Sequence, residues 1–266
     1  MRFALFLSMV SILCWGAAAQ AAPPGVQLEE LTWTEVRAAV QAGTTTIIIP
    51  VGGTEQSGSH MALGKHNVRA RVLAGRIAAA LGDTLVAPVI AYVPEGAISP
   101  PAGHMRFPGT ISIPDAAFKS TLESAGRSFR QAGFHHIVLL GDHGGYQALL
   151  KDAAAALNKE WAGSGVRAHF IDDYYRVTQT AYVQALRGKG LSEAQIGTHA
   201  GAADTSLMLA VDPSLVRSDR LAGGHGAADG TAGDPAPSSA ALGQLGVDLI
   251  VSQTVAAIRK ARAEKR

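Results

Sequence analysis

Two kinds of apolar pattern alternate along the chain. Residues 45–51 form an unbroken β-branched run ended by Gly52-Gly53, as expected of a strand covered on both faces. Residues 84–90, 136–140 and 166–171 predict three more strands, and Gly141 breaks the run that ends at Leu140. Helical periodicity fills the intervals. Residues 34–42 follow a cap at Thr32 or Thr34, and residues 67–81 carry Val68, Val72, Ile77 and Leu81 on one stripe. Further helices are expected over residues 115–132 (closed by Gly133), 146–161, 174–187, 203–211 and 245–260. This alternation predicts an α/β three-layer sandwich with a mostly parallel central sheet. Ligands of such sheets gather beyond the carboxyl ends of the strands.

The first residues follow a different rule. Arg2, an apolar stretch over residues 3–13 and Ala19-Gln20-Ala21 read as a signal peptide cleaved after Ala21, followed by a single domain over residues 22–266. The expected location is periplasmic or secreted, with no membrane attachment after cleavage. Cys14, the only cysteine, would leave with the leader, so the mature chain would have neither disulfide nor thiol nucleophile. Composition adds that 47% of residues are hydrophobic and 17% charged, which is globular and not disordered. A net charge of +2 gives no field to gather nucleic acid.

The candidate chemistry lies in three segments that leave predicted strands or open a helix. Glu55, His60 and His66 follow the first strand, Asp142-His143-Gly144-Gly145 follow the third, and His199 and Asp204 open a late helix. Imidazole with carboxylate is a normal donor set for Zn²⁺ or Mn²⁺. Each residue also has a bland reading. Glu55 can cap backbone N–H groups, His66 can begin a helix in solvent, and Asp204 can favour a helix dipole. His104 reads as a structural or substrate-pocket residue, and His225 as a solvated residue in a glycine-rich loop.

These blocks resemble the creatininase family (creatinine amidohydrolase and relatives). Residues 50–66 resemble its LPVGSTEQHGPHLPLGTD block, His104 to Ser112 its EH-x-x-FPGT-(I/L)-S segment, and residues 141–146 its N-G-H-G-G-N loop. Residues 199–206 resemble its H-A-G-E-x-E-T-S block, and residues 230–243 its late GDP-containing segment. The resemblance implies metal-dependent hydrolysis of C–N bonds in small cyclic or linear amides, on an α/β/α fold that often forms homo-oligomers, commonly hexamers. It places metal ligands on Glu55, His143 and Asp204, and a proton shuttle on His199. Two family ligands are changed: Ser57 stands for a histidine, and His66 for the aspartate that bridges two metals. Loss of that bridge argues for one divalent ion per chain, Zn or Mn, held by Glu55, His66, His143 and Asp204. His60, Ser57, His104, Asp142, Gly144 and Gly145 would then support the ligands or line the substrate pocket. The alternative is a non-catalytic protein of the same fold that binds a metal or small ligand.

Overall fold

The computed structural model describes residues 25–264, so the expected leader over residues 1–21 lies outside the described residues. Chain order begins with α1 (Trp33–Gln41), whose Thr32 and Glu35 form a reciprocal capping box. β1 (Thr46–Val51) leads to α2 (Lys65–Leu81), β2 (Thr84–Val86), α3 (Asp115–Gln131), β3 (His136–Gly141), α4 (Gln147–Glu160) and β4 (Arg167–Phe170). The sheet order is β2-β1-β3-β4 with every pair parallel. After these come α5 (Asp173–Gln179), α6 (Ala181–Gly188), α7 (Glu193–Ile196), α8 (Ala202–Val211) and α9 (Ala240–Ala263).

Strand alternation splits the core into two layers. Ile47, Ile49, Val51, Ile137 and Leu139 pack with Phe118 and Leu122 of α3 and Leu150 and Leu157 of α4. Ile48, Val138 and Leu140 face the other way, onto Leu73 and Ile77 of α2, Val177 of α5 and Ile250 of α9. This is the expected three-layer α/β sandwich. α9 is long and apolar enough to cross a bilayer by length and composition alone, but it packs on α8, α5 and α2.

Boundaries moved where local chemistry outweighed periodicity. β2 is short because Pro88 has no N–H for the ladder. Its extension survives as an isolated Val51–Ile90 bridge. Residues 174–187 form two helices parted at Thr180, and the four-residue α7 owes its start to a Ser192–Gln195 capping box. α9 begins at Ala240 because Ser239 Oγ accepts from Leu242 N–H.

The chain moves from β1 outward to β2, then crosses to β3 on the other side of β1. The switch point between β1 and β3 therefore opens where Glu55 and Asp142-His143 leave the sheet.

Candidate metal centre

The loop after β1 is shaped by Gly53, whose φ of 146° favours glycine. Its N–H donates to Asn67 Oδ1 at 2.9 Å, which ties the loop to the first turn of α2. A Cβ on Gly53 would lie 2.6 Å from Glu95 Oε1, so the bare backbone admits that carboxylate. Gly53→Ala is expected to displace Glu95 and to weaken divalent-ion affinity by ~10–100-fold, the usual cost of disturbing a ligand's support. A calorimetric titration checks this, and unchanged affinity would remove Glu95 from the centre.

Glu55 is fully buried and is the hub of the site. Its Oε1 lies 2.8 Å from His66 Nε2, 3.8 Å from His199 Nδ1 and 3.9 Å from Lys65 Nζ. Its Oε2 lies 3.2 Å from His104 Nε2 and 3.5 Å from His143 Nε2. Glu95 approaches from the long loop between β2 and α3, its Oε2 3.6 Å from His143 Nδ1. One donor atom from each of Glu55, Glu95, His104 and His143 falls within 4.8 Å of the other three.

The electrostatics of this cluster call for a cation. Glu55 Oε2 and both Glu95 oxygens are buried without a hydrogen-bond partner among the described residues. A buried carboxylate in that condition is costly unless it is protonated or paired. Burial, and then the neighbouring Glu55 charge, push Glu95 up to about 9. Burial also opposes ionisation of Glu55, but its His66 hydrogen bond and the charges of His66 and Lys65 hold it well below the usual carboxylate range. Burial pushes His143 down to about 3, which leaves a neutral imidazole. Two carboxylates and two imidazoles without sulfur fit Zn²⁺ or Mn²⁺.

A second layer of charge stands behind Glu55. His66 Nδ1 lies 2.5 Å from Asp142 Oδ1, so the ring bridges two carboxylates. Asp142 also accepts from Arg69 Nε at 2.9 and 3.0 Å and from Tyr174 Oη at 2.7 Å. Arg69 reaches on to Asp204 Oδ1 at 2.9 Å, and Lys65 Nζ donates to Asp204 Oδ2 at 3.0 Å. Asp204 also accepts from Ala200 N–H at 3.1 Å, holding the turn in which Ala200 takes a φ of 56°.

Of the residues expected from sequence, Glu55 and His143 enter the four-residue cluster, and His104 joins them. His66 borders it but faces Asp142 on its other side, and Asp204 sits among Lys65, Arg69 and Ala200. His60 Nε2 pairs with Thr205 Oγ1 at 2.9 Å, away from the cluster. Ser57 is buried, and its Oγ is unpartnered among the described residues. Gly144 leaves room for Tyr175, whose Oη would lie 2.5 Å from an added Cβ. Gly145 N–H donates to His143 Nδ1 at 3.3 Å. Sequence reasoning missed Glu95, Gln56, Lys65 and Arg69. Glu95 left one signal, as the sole carboxylate of residues 92–110.

Comparison with known proteins gives a consistent result. The family model described as "Creatininase: Creatinine amidohydrolase" matches residues 29–258. Creatinine amidohydrolase of Pseudomonas putida is 30% identical over 195 residues, covering 72% of this chain and 74% of that protein. The mycofactocin precursor peptide peptidase of Mycolicibacterium smegmatis is 30% identical over 184 residues, covering 67% of this chain and 63% of the relative. A crystal structure of creatinine amidohydrolase superposes with a TM-score of 0.76 at 26% identity, over 91% of this chain and 100% of that one. A manganese form of creatininase gives 0.74 at 28% identity, over 90% and 100%. A further solved creatininase variant is of Zn-Zn type. With its buried Glu/His cluster at the sheet's switch point, the chain belongs to the creatininase family and is a metal-dependent amidohydrolase.

Proposed function

We propose that the protein hydrolyses a C–N bond of a small cyclic or linear amide around one divalent ion per chain, held by Glu55, Glu95 and His143 with His104 at its edge. The observation that carries this reading is a pair of buried carboxylates facing two imidazoles, Glu55 with its Oε2 and Glu95 with both oxygens unpartnered among the described residues. One ion is favoured over two because the opposite side of Glu55 already holds the His66 ring and the fully buried Lys65 ammonium. A second divalent ion there would meet a tethered positive charge. His66 and Asp204, expected as ligands from sequence, serve in this reading to fix Glu55 and Lys65.

When bound, such an ion supplies Lewis acidity, polarising a carbonyl and lowering the pKa of water from ~15.7 toward ~7. The chain supplies the rest. His199, pushed down to about 4 by burial, is neutral and offers Nδ1 beside Glu55 as the acceptor of a proton. The same nitrogen returns that proton to the leaving nitrogen as the C–N bond breaks. Asp142 and Arg69 hold His66, and through it the orientation of Glu55.

Export to the periplasm or medium belongs to the same proposal and is supported by the leader-like residues 1–21. Assembly into a homo-oligomer is proposed by likeness to the family. The substrate class is tested with zinc- and manganese-loaded protein on a panel of lactams, linear amides, creatinine and short peptides. The reading expects metal-dependent turnover of at least one small amide. Stoichiometric ion binding without turnover of any panel member would favour the non-catalytic alternative.

A further inference from the structure

Gln56, next to the hub carboxylate, makes contacts whose roles can be assigned without ambiguity. Its Oε1 accepts from the backbone N–H of Gly58 at 3.0 Å, and its Nε2 donates to the carbonyl of Gly230 at 3.1 Å. Both partners have fixed roles, so the amide orientation is fixed as well. One amide hydrogen remains. It faces His104 Nδ1 at 3.0 Å and His199 Nε2 at 3.2 Å. His199 Nε2 also lies 3.0 Å from the backbone oxygen of Gln56, which can only accept.

A single assignment serves nearly all of these contacts. His199 carries its hydrogen on Nε2 and donates it to Gln56 O. The spare amide hydrogen goes to His104 Nδ1, which must then be bare. Giving that hydrogen to His199 instead would leave both His104 Nδ1 and Gln56 O unpaired in a largely enclosed site. Both rings are thus the Nε2–H tautomer, but they point opposite ends inward. His199 turns Nδ1 toward Glu55 Oε1, and His104 turns Nε2 toward Glu55 Oε2.

We infer that Gln56 is a positioning residue that makes His199 a bare acceptor and His104 an N–H donor toward the reacting centre, so that His104 hydrogen-bonds the substrate's carbonyl oxygen and is not a metal ligand. The use of these rings rests on the amidohydrolase reading, whereas the tautomers do not. In the reaction, a water proton passes to His199 Nδ1 as the C–O bond forms. That proton moves to the leaving nitrogen as the C–N bond breaks. His104 keeps its hydrogen throughout and stabilises the charge that develops on oxygen.

Gly230 also ties Gln56 to the loop before α9. A Cβ on Gly230 would fall 2.0 Å from Gln56 Oε1, so the close approach requires a bare backbone there. His104 and His199 therefore share one anchor, although they lie in segments remote in sequence.

The test is long-range proton–nitrogen NMR on the full chain labelled at histidine, metal-free and then zinc-loaded. Both rings are expected as Nε2–H with bare Nδ1, and zinc is expected to leave the His104 Nε2 hydrogen in place. Gln56→Glu supplies the contrast, since a carboxylate can only accept. His104 should switch to Nδ1–H while His199, held by a backbone oxygen, stays unchanged. That variant should retain its metal and lose kcat by ~10²–10³-fold, the cost of one lost oxyanion donor. A His104 that begins as Nδ1–H, or loses its Nε2 hydrogen to zinc, overturns the proposal, and wild-type spectra alone decide this if the variant does not fold. Expected tautomers in a protein that turns over no amide would instead defeat the hydrolase reading and leave the tautomer assignment standing.

Discussion

Replacing Glu55 by Gln is expected to empty the metal centre and abolish hydrolysis. The side chain keeps its shape but loses the charge that faces His66, His104, His143, His199 and Lys65 within 3.9 Å. Disturbing a ligand's outer support costs ~10–100-fold in metal affinity, and removing the hub itself should cost more. With the ion gone, the fall in kcat/KM should exceed the ~10²–10⁴-fold carried by a single acid–base group. Metal analysis of the purified variant and assay on the wild-type substrate provide the check. A variant that retains one ion and full activity would place the centre elsewhere.

Proton counting gives this prediction a second readout. Glu95 is held up to about 9, so at pH 7 it is protonated before an ion arrives. His143, down at about 3, and Glu55, well below its ordinary range, have no proton to give. Ion binding to the wild type at pH 7 should therefore release close to one proton, and affinity should rise with pH until Glu95 ionises on its own near pH 9. Calorimetry in two buffers of different ionisation enthalpy measures the release. A binding reaction that moves no proton would exclude Glu95 as a ligand.

The contrast between Glu55 and Glu95 explains what could be read from sequence. The strand before Glu55 is six buried residues followed by two glycines, and such local patterns fix where a strand stops and which loop leaves it. Glu55 and His143 were legible because each lies in the loop that leaves a buried strand. Glu95 reaches the cluster from the middle of a long loop with no periodicity, so only the folded backbone brings it there. Asp204 shows the opposite failure. Its helix-opening position and family block were plain, but Lys65 and Arg69, the cations that claim it, lie on the first turns of α2, 135 or more residues earlier in the chain. Pairing across that distance has no signature in a single sequence. His66 was visible as a polar residue at the head of α2, but its bridge to Asp142 depends on the switch point between β1 and β3.

Arg69 carries the largest expected effect on stability. It is almost fully buried, and its planar fork serves Asp142 through Nε and Asp204 through one terminal nitrogen. Burial works against the guanidinium charge, but Asp142 and Asp204 more than compensate and raise its pKa well above the ordinary value. Arg69→Met would leave Asp142 without its main counter-charge and leave Asp204 with Lys65 alone. Breaking a buried pair in this way costs ~3–5 kcal/mol. At roughly 2–4 °C per kcal/mol for a chain of this size, Tm should fall by ~6–20 °C. Arg69→Lys should recover little, because one ammonium cannot reach both carboxylates in a fixed fork.

The pH dependence separates lost charge pairing from lost packing. Burial disfavours the charged forms of Asp142 and Asp204, yet Arg69 and His66 at the first, and Lys65 and Arg69 at the second, hold both below the ordinary value of 3.8. Carboxyls lowered in the folded state add stability above that value and lose it as pH falls through their folded pKa. The Tm gap between wild type and Arg69→Met should therefore be full at neutral pH and narrow as pH drops below about 4. A packing defect would give a gap that does not change with pH. Thermal melts of metal-free wild type and variant from pH 7 to pH 3 decide between them, and a constant gap would show that Arg69 acts through its volume and not as the cation holding Asp142 and Asp204 behind Glu55.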